Sequence, residues 1–413
     1  MRSFDAWVGM AFTVRAGDIK RIVKAIAHSS GDRRALMPDI LQNYMSISQD
    51  NETAILEART NNVYITSCIS VLPIPNGGRL QVLTPKKAFK DLISTYNDDS
   101  ILSFTYVKTP STDGIQTQAE QHNGQLLIQS NDTSKYSIKC GSPEEWSGLD
   151  TKADGANLEF FIPSPLLISG IQKVAFAAAK EDPRESLNGI NFNISDNKIR
   201  LIGTDAVTLA MCIIGHIDTA IPKAVSFTLP NDTVETIKNF FSSKEQNLIK
   251  ITLIYDKDEQ LRIVGFSDDK NSIYSYIINY PFPSVDGIIK PENEYNILVV
   301  NKTKIMEVIK RFQKISDGKE QSFKINIKDN TMTLIQNSYS FGEGREVIEI
   351  EGWSGGEMDL VLSVNRISEI LSNITSSEDI RIGIQSPNRP IAFFYEDEDN
   401  RSHVQILVMP VVQ

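Results

Sequence analysis

The side chains that most often carry enzymatic chemistry are few and scattered in this chain. Its four histidines, His28, His122, His216 and His403, stand far apart. None has the HExxH spacing that sets two imidazoles on one helical face around zinc, and isolated imidazoles of this kind read as surface residues. The three cysteines, Cys68, Cys140 and Cys212, are equally remote from one another. An odd number without CxxC spacing makes neither a disulfide framework nor a zinc site, so each reads as a small apolar side chain in a strand-like run. Gly318-Lys319 is not preceded by the glycine of a GxxxxGK[ST] phosphate loop. Gly342-x-Gly344 neither continues to a third glycine nor opens a helix, and reads as a hairpin turn. No GxSxG elbow occurs. The runs Ser195-Asp196-Asn197, Asp256-Lys257-Asp258, Lys328-Asp329-Asn330 and Glu396 to Asn400 lack the alternating ligands, central glycine and closing Glu of a calcium loop, and fit hairpins. One carboxylate remains: Asp205 follows an apolar strand, where it suits either a general base or an aspartate that caps a turn. These residue types provide no metal site, no cofactor cradle and no assembled catalytic group.

Basic side chains form a clearer pattern. The formal net charge is −10, which excludes a protein coated in basic patches. Against that background, cations gather on expected helices. The first stretch has Lys20, Arg21 and Lys24, with Arg33 and Arg34 in the loop that follows, and then Lys86, Lys87 and Lys90. Further on come Lys173, Lys180, Arg184 and Lys238, and finally Lys302, Lys304, Lys310, Arg311, Lys314 and Arg366. Such residues read first as solvated helix faces. If the helices face one way, they also make a basic surface able to hold phosphates without reading base sequence.

The elements that must position these residues repeat. A chain of 413 residues predicts about two to four domains. One pattern recurs six times: a short strand, an amphipathic helix, then three strands. The helices are marked by Ile19, Ile22, Val23 and Ile26; by Phe89, Leu92 and Ile93; by Leu167, Ile171 and Val174; by Val234, Ile237 and Phe241; by Ile305, Val308, Ile309 and Phe312; and by Ile367, Ile370, Leu371 and Ile374. That spacing puts each set on one helical face. Two half-repeats make one domain, which predicts an α+β architecture of three tandem domains at 10–154, 155–291 and 292–413, after a leader of residues 1–9. Each domain is expected to hold two sheets covered on one side by two helices. Open sheet edges must then be paired or blocked; continuing the sheets across domains and subunits does so, and ring closure completes it. The polar stretch Thr109–Gly124 reads as a long hairpin loop. No apolar run approaches a membrane span and the leader has no signal-peptide pattern, so a cytoplasmic protein is expected.

At this point the chain resembles a known family, the bacterial DNA polymerase III beta subunit, or DNA sliding clamp. Leu187-Asn188-Gly189-Ile190, followed after a strand by Gly203-Thr204-Asp205-Ala206-Val207-Thr208-Leu209-Ala210, is similar to the family's LNG and TDGHRLA. Tyr280-Pro281-Phe282-Pro283 is similar to its RFPDY. Asn388-Arg389-Pro390-Ile391, the terminal Val408-Met409-Pro410-Val411 and the early Met10-Ala11-Phe12-Thr13-Val14 follow the family's order. The resemblance implies three tandem DNA-clamp domains in a head-to-tail homodimer, a ring with helices inside and sheets outside that encircles double-stranded DNA and slides. It implies no catalysis, no cofactor and no metal, since a separate loader spends ATP to open the ring. It also implies a pocket between the second and third domains for short peptide motifs of the polymerase, the clamp loader and repair proteins. Carried over by position, that pocket comprises Leu187, Thr204, Ala206, Thr208, Leu209, Pro283, Ile288, Ser363, Arg366, Asn388, Pro390, Leu407, Val408, Met409, Pro410 and Val411. For Leu187, Leu209, Leu407 and Val408, plain core packing is the competing reading. DNA contacts are expected at Arg34, Lys180 and Arg184, with Lys20, Lys24, Lys87 and Lys310 from the helical faces.

Several positions depart from the family. Ala206-Val207-Thr208 replaces the common Gly-His-Arg, Arg366 stands where Tyr is frequent, and Val412-Gln413 replaces Arg-Leu. Asn231-Asp232 occupies a place where basic residues are common. A non-catalytic repeat scaffold that binds only proteins, and a hydrolase centred on Asp205, are the alternative readings.

Overall fold

The computed structural model describes residues 8–28, 40–60, 62–73, 80–108, 122–130, 134–141, 146, 157–215, 217, 224–241, 244, 246–318, 321–374, 378–397 and 402–411. The expected strand–helix–three-strand pattern runs through it six times. The first repeat has β1 (Val8–Arg15), α1 (Ala16–His28), β2 (Tyr44–Asp50), β3 (Thr53–Arg59), β4 (Val63–Ser70) and a short β5 (Leu72–Pro73), then β6 (Leu80–Pro85), α2 (Lys86–Ser94), β7 (Ile101–Lys108), β8 (His122–Ser130) and β9 (Lys135–Gly141). The second has β10 (Asn157–Pro163), α3 (Ser164–Ala175), β11 (Gly189–Ser195), β12 (Lys198–Thr204) and β13 (Thr208–Ile214), then β14 (Val225–Pro230), α4 (Asn231–Phe240), β15 (Leu248–Tyr255), β16 (Leu261–Ser267) and β17 (Asn271–Tyr276). The third has β18 (Asn296–Asn301), α5 (Lys302–Lys314), β19 (Ser322–Lys328), β20 (Thr331–Ser338) and β21 (Gly342–Glu349), then β22 (Met358–Ser363), α6 (Val364–Asn373), β23 (Asp379–Ile384), β24 (Ile391–Asp397) and β25 (Ser402–Val408).

Local chemistry accounts for these elements. In α5 the buried residues are Ile305, Val308, Ile309 and Phe312, the face that the 3.6-residue period selects. Asn301 caps α5 by accepting from the Lys304 N–H, and Ser363 caps α6 by accepting from the Arg366 N–H. Asp196 and Asn197 both take positive φ, 50° and 57°, as a two-residue hairpin turn between β11 and β12 requires. Two expectations shift at the edges. β1 takes in Val8 and Gly9, assigned on sequence to the leader, by pairing them with Val107 and Tyr106. Gly342 opens β21 and Gly344 lies within that strand against Phe312 and Ile315, so the turn falls before them and not on them. The stretch 109–121 lies outside the described residues.

The opening strand of each half-repeat joins the sheet of the other half. β1 pairs with β7 and β6 with β2; β14 pairs with β11; β18 pairs with β23 and β22 with β19. A half-repeat on its own would therefore lack a strand of its own sheet.

The chain divides into two compact units. The first comprises Met1–Glu159, Glu235–Ser242 and Asn247–Ile277; the second comprises Phe160–Val234, Ser243–Gln246 and Ile278–Gln413. In the first, a sheet runs β15-β16-β17-β4-β3-β2-β6-β9-β8-β7-β1-β5. Its junction joins strands of different repeats: β17 pairs antiparallel with β4, and the buried Ser67 hydroxyl donates to the Asn271 side-chain carbonyl at 2.7 Å. In the second, one sheet runs β14-β11-β12-β13-β25-β24-β23-β18 and another β21-β20-β19-β22. Here β13 pairs antiparallel with β25, from Thr208 opposite Val408 to Ile214 opposite Ser402.

The second junction holds a buried charge pair. The Lys173 ammonium on α3 lies 2.5 Å from the Asp397 carboxylate at the end of β24 and 2.6 Å from the Ser402 hydroxyl. Only 4% and 8% of the two charged side chains are exposed, so each depends on the other for neutralisation. Asp397→Ala should destabilise the protein by about 3–5 kcal/mol in urea unfolding, because it strands a buried ammonium. The double variant Lys173→Met with Asp397→Leu should recover much of that loss.

Candidate functional site

The turn joining β12 to β13 organises the candidate site. The Thr204 hydroxyl donates to the Thr208 carbonyl at 2.7 Å and accepts from the Ala206 N–H at 3.0 Å. One carboxylate oxygen of Asp205 accepts from the N–H groups of Val207 and Thr208, at 3.0 and 2.7 Å. Asp205 is thus the turn-capping aspartate, one of its two sequence readings. Ala206 takes a φ of 72°, the left-handed region where a glycine is unstrained. Leu187, in a single 3-10 turn at Glu185–Leu187, is tied to this turn through a shared donor. The Ala179 N–H reaches both the Leu187 carbonyl at 3.0 Å and the Thr204 carbonyl at 3.3 Å. Gly203 permits this, since a Cβ there would come within 2.4 Å of the Val174 carbonyl oxygen.

Arg366, in the first turn of α6, ties the third repeat to this turn of the second. Its Nη1 donates to the free oxygen of Asp205 at 2.7 Å and to the Thr208 hydroxyl at 2.9 Å. Partial burial works to raise the Asp205 pKa, but the donors Thr208, Arg366 and Val207 outweigh it and hold the carboxyl below its usual range. The terminal segment completes the join: the Met409 N–H donates to the Val207 carbonyl at 2.9 Å and the Val411 N–H to the Val361 carbonyl at 2.8 Å.

The expected pocket residues divide between core and surface. Leu209 and Leu407, opposite each other on β13 and β25, are buried in a cluster with Ile202, Met211, Val285, Tyr295, Ala392 and Phe394; for them core packing holds. Thr208 and Val408, the next opposed pair, are buried as well, as are Leu187, Thr204 and Pro410. Apolar surface remains at Val207, Met409 and Val411, which are 38%, 39% and 41% exposed. Ile288 and Pro283 are exposed on the segment after β17; it packs onto the Leu209–Leu407 cluster through Val285 and, less deeply, Phe282. Asn388 is exposed and Pro390 half-buried just before Ile391, which pairs with Val408. Ser363 is the cap of α6. Asp205 and Val207 are the residues that position-by-position carry-over omits. The signal for them was Arg366 itself, a cation near the pocket in need of an acidic partner.

The expected DNA contacts are spread along the chain. Lys24 on α1, Lys87 on α2, Lys310 on α5 and Lys180 after α3 are exposed. Lys20, Lys24 and Lys90 line a cavity of about 240 Å³ between α1 and α2. Lys20 is already paired with Asp98 at 2.8 Å and donates to the Tyr96 carbonyl, and Arg184 is held in a fork by Asp182 at 2.8 and 2.9 Å. Arg34 lies outside the described residues. Among the described residues no group of His, Cys, Asp and Glu could hold a metal ion. Burial pushes the thiols of Cys140 and Cys212 up to about 12 and about 11, the opposite of an activated nucleophile.

Because the Asp205 pKa is lowered on folding, its contribution to stability is complete above the unfolded value near 3.8 and is lost as pH falls through the folded value. Asp205→Asn should therefore destabilise the protein at pH 7 and leave acid unfolding less steep below pH 3.8, followed by circular dichroism across a pH series.

Comparison with known proteins places the chain. Residues 161–284 match the model of the DNA polymerase III beta subunit central domain, and residues 288–411 that of its C-terminal domain. The chain is 23% identical over 301 residues to the beta sliding clamp of Haemophilus influenzae, covering 71% of this chain and 72% of that protein. Its fold is similar to the crystal structure of the DNA polymerase III beta subunit of Pseudomonas aeruginosa, with a TM-score of 0.78 at 17% identity over 98% of this chain and 100% of that one. The beta subunit of Thermotoga maritima gives 0.80 at 20% identity, over the same shares of the two chains. With both domain models together spanning more than half of its length, the chain belongs to the DNA polymerase III beta subunit family, the sliding clamps, whose members work by binding and not by catalysis.

Proposed function

We propose that two copies of this chain join head to tail into a ring that encircles double-stranded DNA, slides along it, and presents partner proteins through the surface around Met409. The observation that carries this reading is the sheet-edge pattern. The third strand of a first half-repeat pairs with the last strand of the next repeat, as β4 does with β17 and β13 with β25. Continued once more, the rule joins β21 to β9 of a second copy. Among the described residues β21 pairs only with β20, and β9 pairs with β8 and, at Gly141 alone, with β6. Both edges expose apolar side chains, Val347 at 59% and Tyr136 at 50%. Their charges are complementary: β21 carries Glu343, Glu346 and Glu349 with one Arg345, and β9 carries Lys135 and Lys139.

Within such a ring, Arg34, Lys20, Lys24, Lys87, Lys180, Arg184 and Lys310 would meet the DNA backbone, each neutralised phosphate adding about −0.9 to the slope of log affinity against log salt. The polymerase, the clamp loader and repair proteins would bind through short peptide motifs at the β13–β25–α6 surface. With ring topology holding the complex, direct affinity for DNA can be weak. The protein, once loaded, should stay on closed circular DNA and leave when the circle is cut, read by gel filtration of labelled protein; equal loss from both forms would rule out topological binding.

A second reading, a scaffold that binds only proteins, is favoured by Asp232 in the first turn of α4 and by the acidic partners that Lys20 and Arg184 already have. Replacing Lys24, Lys87 and Lys180 together by Glu separates the two. The clamp reading expects a marked fall in the length of DNA that the cognate polymerase copies per binding event, and unchanged length supports the scaffold.

A further inference from the structure

The two junctions between repeats follow one register. At the first, the Tyr276 N–H donates to the Asn62 carbonyl, and at the second the Met409 N–H donates to the Val207 carbonyl, both at 2.9 Å. Asn62 and Val207 each stand immediately before the third strand of a first half-repeat, β4 and β13. Just beyond these donors, the Ile278 N–H meets the Thr228 carbonyl and the Val411 N–H meets the Val361 carbonyl. Thr228 and Val361 are each the fourth residue of a second opening strand, β14 and β22.

The first repeat carries the same anchor. Leu83, the fourth residue of β6, lies opposite Gly141 at the end of β9. Gly141 therefore corresponds to Ile278 and Val411, and Lys139 to Tyr276 and Met409. In the third repeat, the residue immediately before β21 is Phe341. The junction register thus puts Lys139 of one copy opposite Phe341 of another. Antiparallel pairing then sets Ile138 opposite Gly342, Ser137 opposite Glu343, and Tyr136 opposite Gly344.

The side chains fit this register. The pairs equivalent to Tyr136 and Gly344 are Ile273 with Ile65 and Ile406 with Ala210, and all four of these residues are fully buried. Tyr136 is a large side chain left 50% exposed. A Cβ on Gly344 would come within 2.8 Å of Ile315 and 3.2 Å of the Phe312 ring, so the glycine leaves both at the strand surface, open to an aromatic ring laid across it. Glu343 falls diagonal to Lys135 and Lys139 on the other face, which offsets the like charges of Arg345 opposite Lys135. A slip of one residue would turn Tyr136 away from Phe312 and Ile315.

We propose that a second copy of this chain adds its β9 to β21 in this register and seats its Tyr136 over Gly344, against Phe312 and Ile315. The seat rests on the head-to-tail reading given above and adds to it a register and an anchoring side chain.

Disulfide trapping in the full-length protein reads the register directly. Three double variants share Glu343→Cys and differ in the second site: Ser137→Cys, Lys139→Cys or Lys135→Cys. All carry Cys68→Ser, since the other two native thiols are fully buried. Mild oxidation should link the Ser137→Cys variant into a covalent dimer about tenfold faster than the other two, because directly opposed residues have bridgeable spacing and diagonal ones do not. Faster linkage through position 139 or 135 would overturn the register. No linkage in any variant, with the mass still that of a dimer, would overturn the β21–β9 pairing, and a monomer at every concentration would overturn the head-to-tail reading itself. For the seat, Tyr136→Ser should weaken the dimer by about tenfold or more, as loss of a central aromatic anchor does. Tyr136→Phe, which keeps the ring, should stay within about threefold of the natural chain. A dimer of unchanged affinity in Tyr136→Ser would overturn the seat.

Discussion

An antiparallel sheet that ends in an unpaired strand presents a ladder of N–H and C=O groups, and satisfying that ladder is the constraint on which the rest of this structure depends. Within a repeat, the opening strand of one half completes the sheet of the other, as β1 does beside β7 and β6 beside β2. Between repeats, β4 pairs with β17, and β13 with β25. The same device used at two scales turns six similar segments, none of which completes its own sheet, into continuous surfaces.

The candidate site is a consequence of the β13–β25 junction. Pairing these strands places the Thr204–Thr208 turn beside the terminal segment, and the Met409 N–H locks the two together. Leu209 and Leu407 then serve the core, while Val207, Met409 and Val411 remain at the surface. Arg366 adds a charged link from α6, so the surface combines apolar area with a fixed cation. The buried Lys173–Asp397 pair secures the far end of the same junction, where Ile214 meets Ser402.

Much of this was legible in the sequence, for local reasons. The helical faces followed from spacing, as with Ile305, Val308, Ile309 and Phe312, because a 3.6-residue period has one buried solution. The Asp196-Asn197 turn followed from side chains that tolerate positive φ. The exchange of opening strands was not legible, because edge pairing joins residues far apart in the chain and leaves no local pattern. The same holds for Arg366 and Asp205, which lie 161 positions apart. Position-by-position carry-over marked Arg366 as a departure and left out Asp205, the partner that explains it. Nor could spacing alone separate Leu209 and Leu407 from Met409, since all are apolar and only tertiary packing assigns them to core or surface.

In the proposed ring, β9 and β21 are the two edges that a second copy completes. Amide hydrogen exchange along these strands, followed over a dilution series of the full-length protein, tests it most directly. The account predicts that both strands are protected at high concentration and lose protection together on dilution, in step with the fall in mass from dimer to monomer. Rapid exchange in both strands under conditions where the protein is dimeric would contradict it.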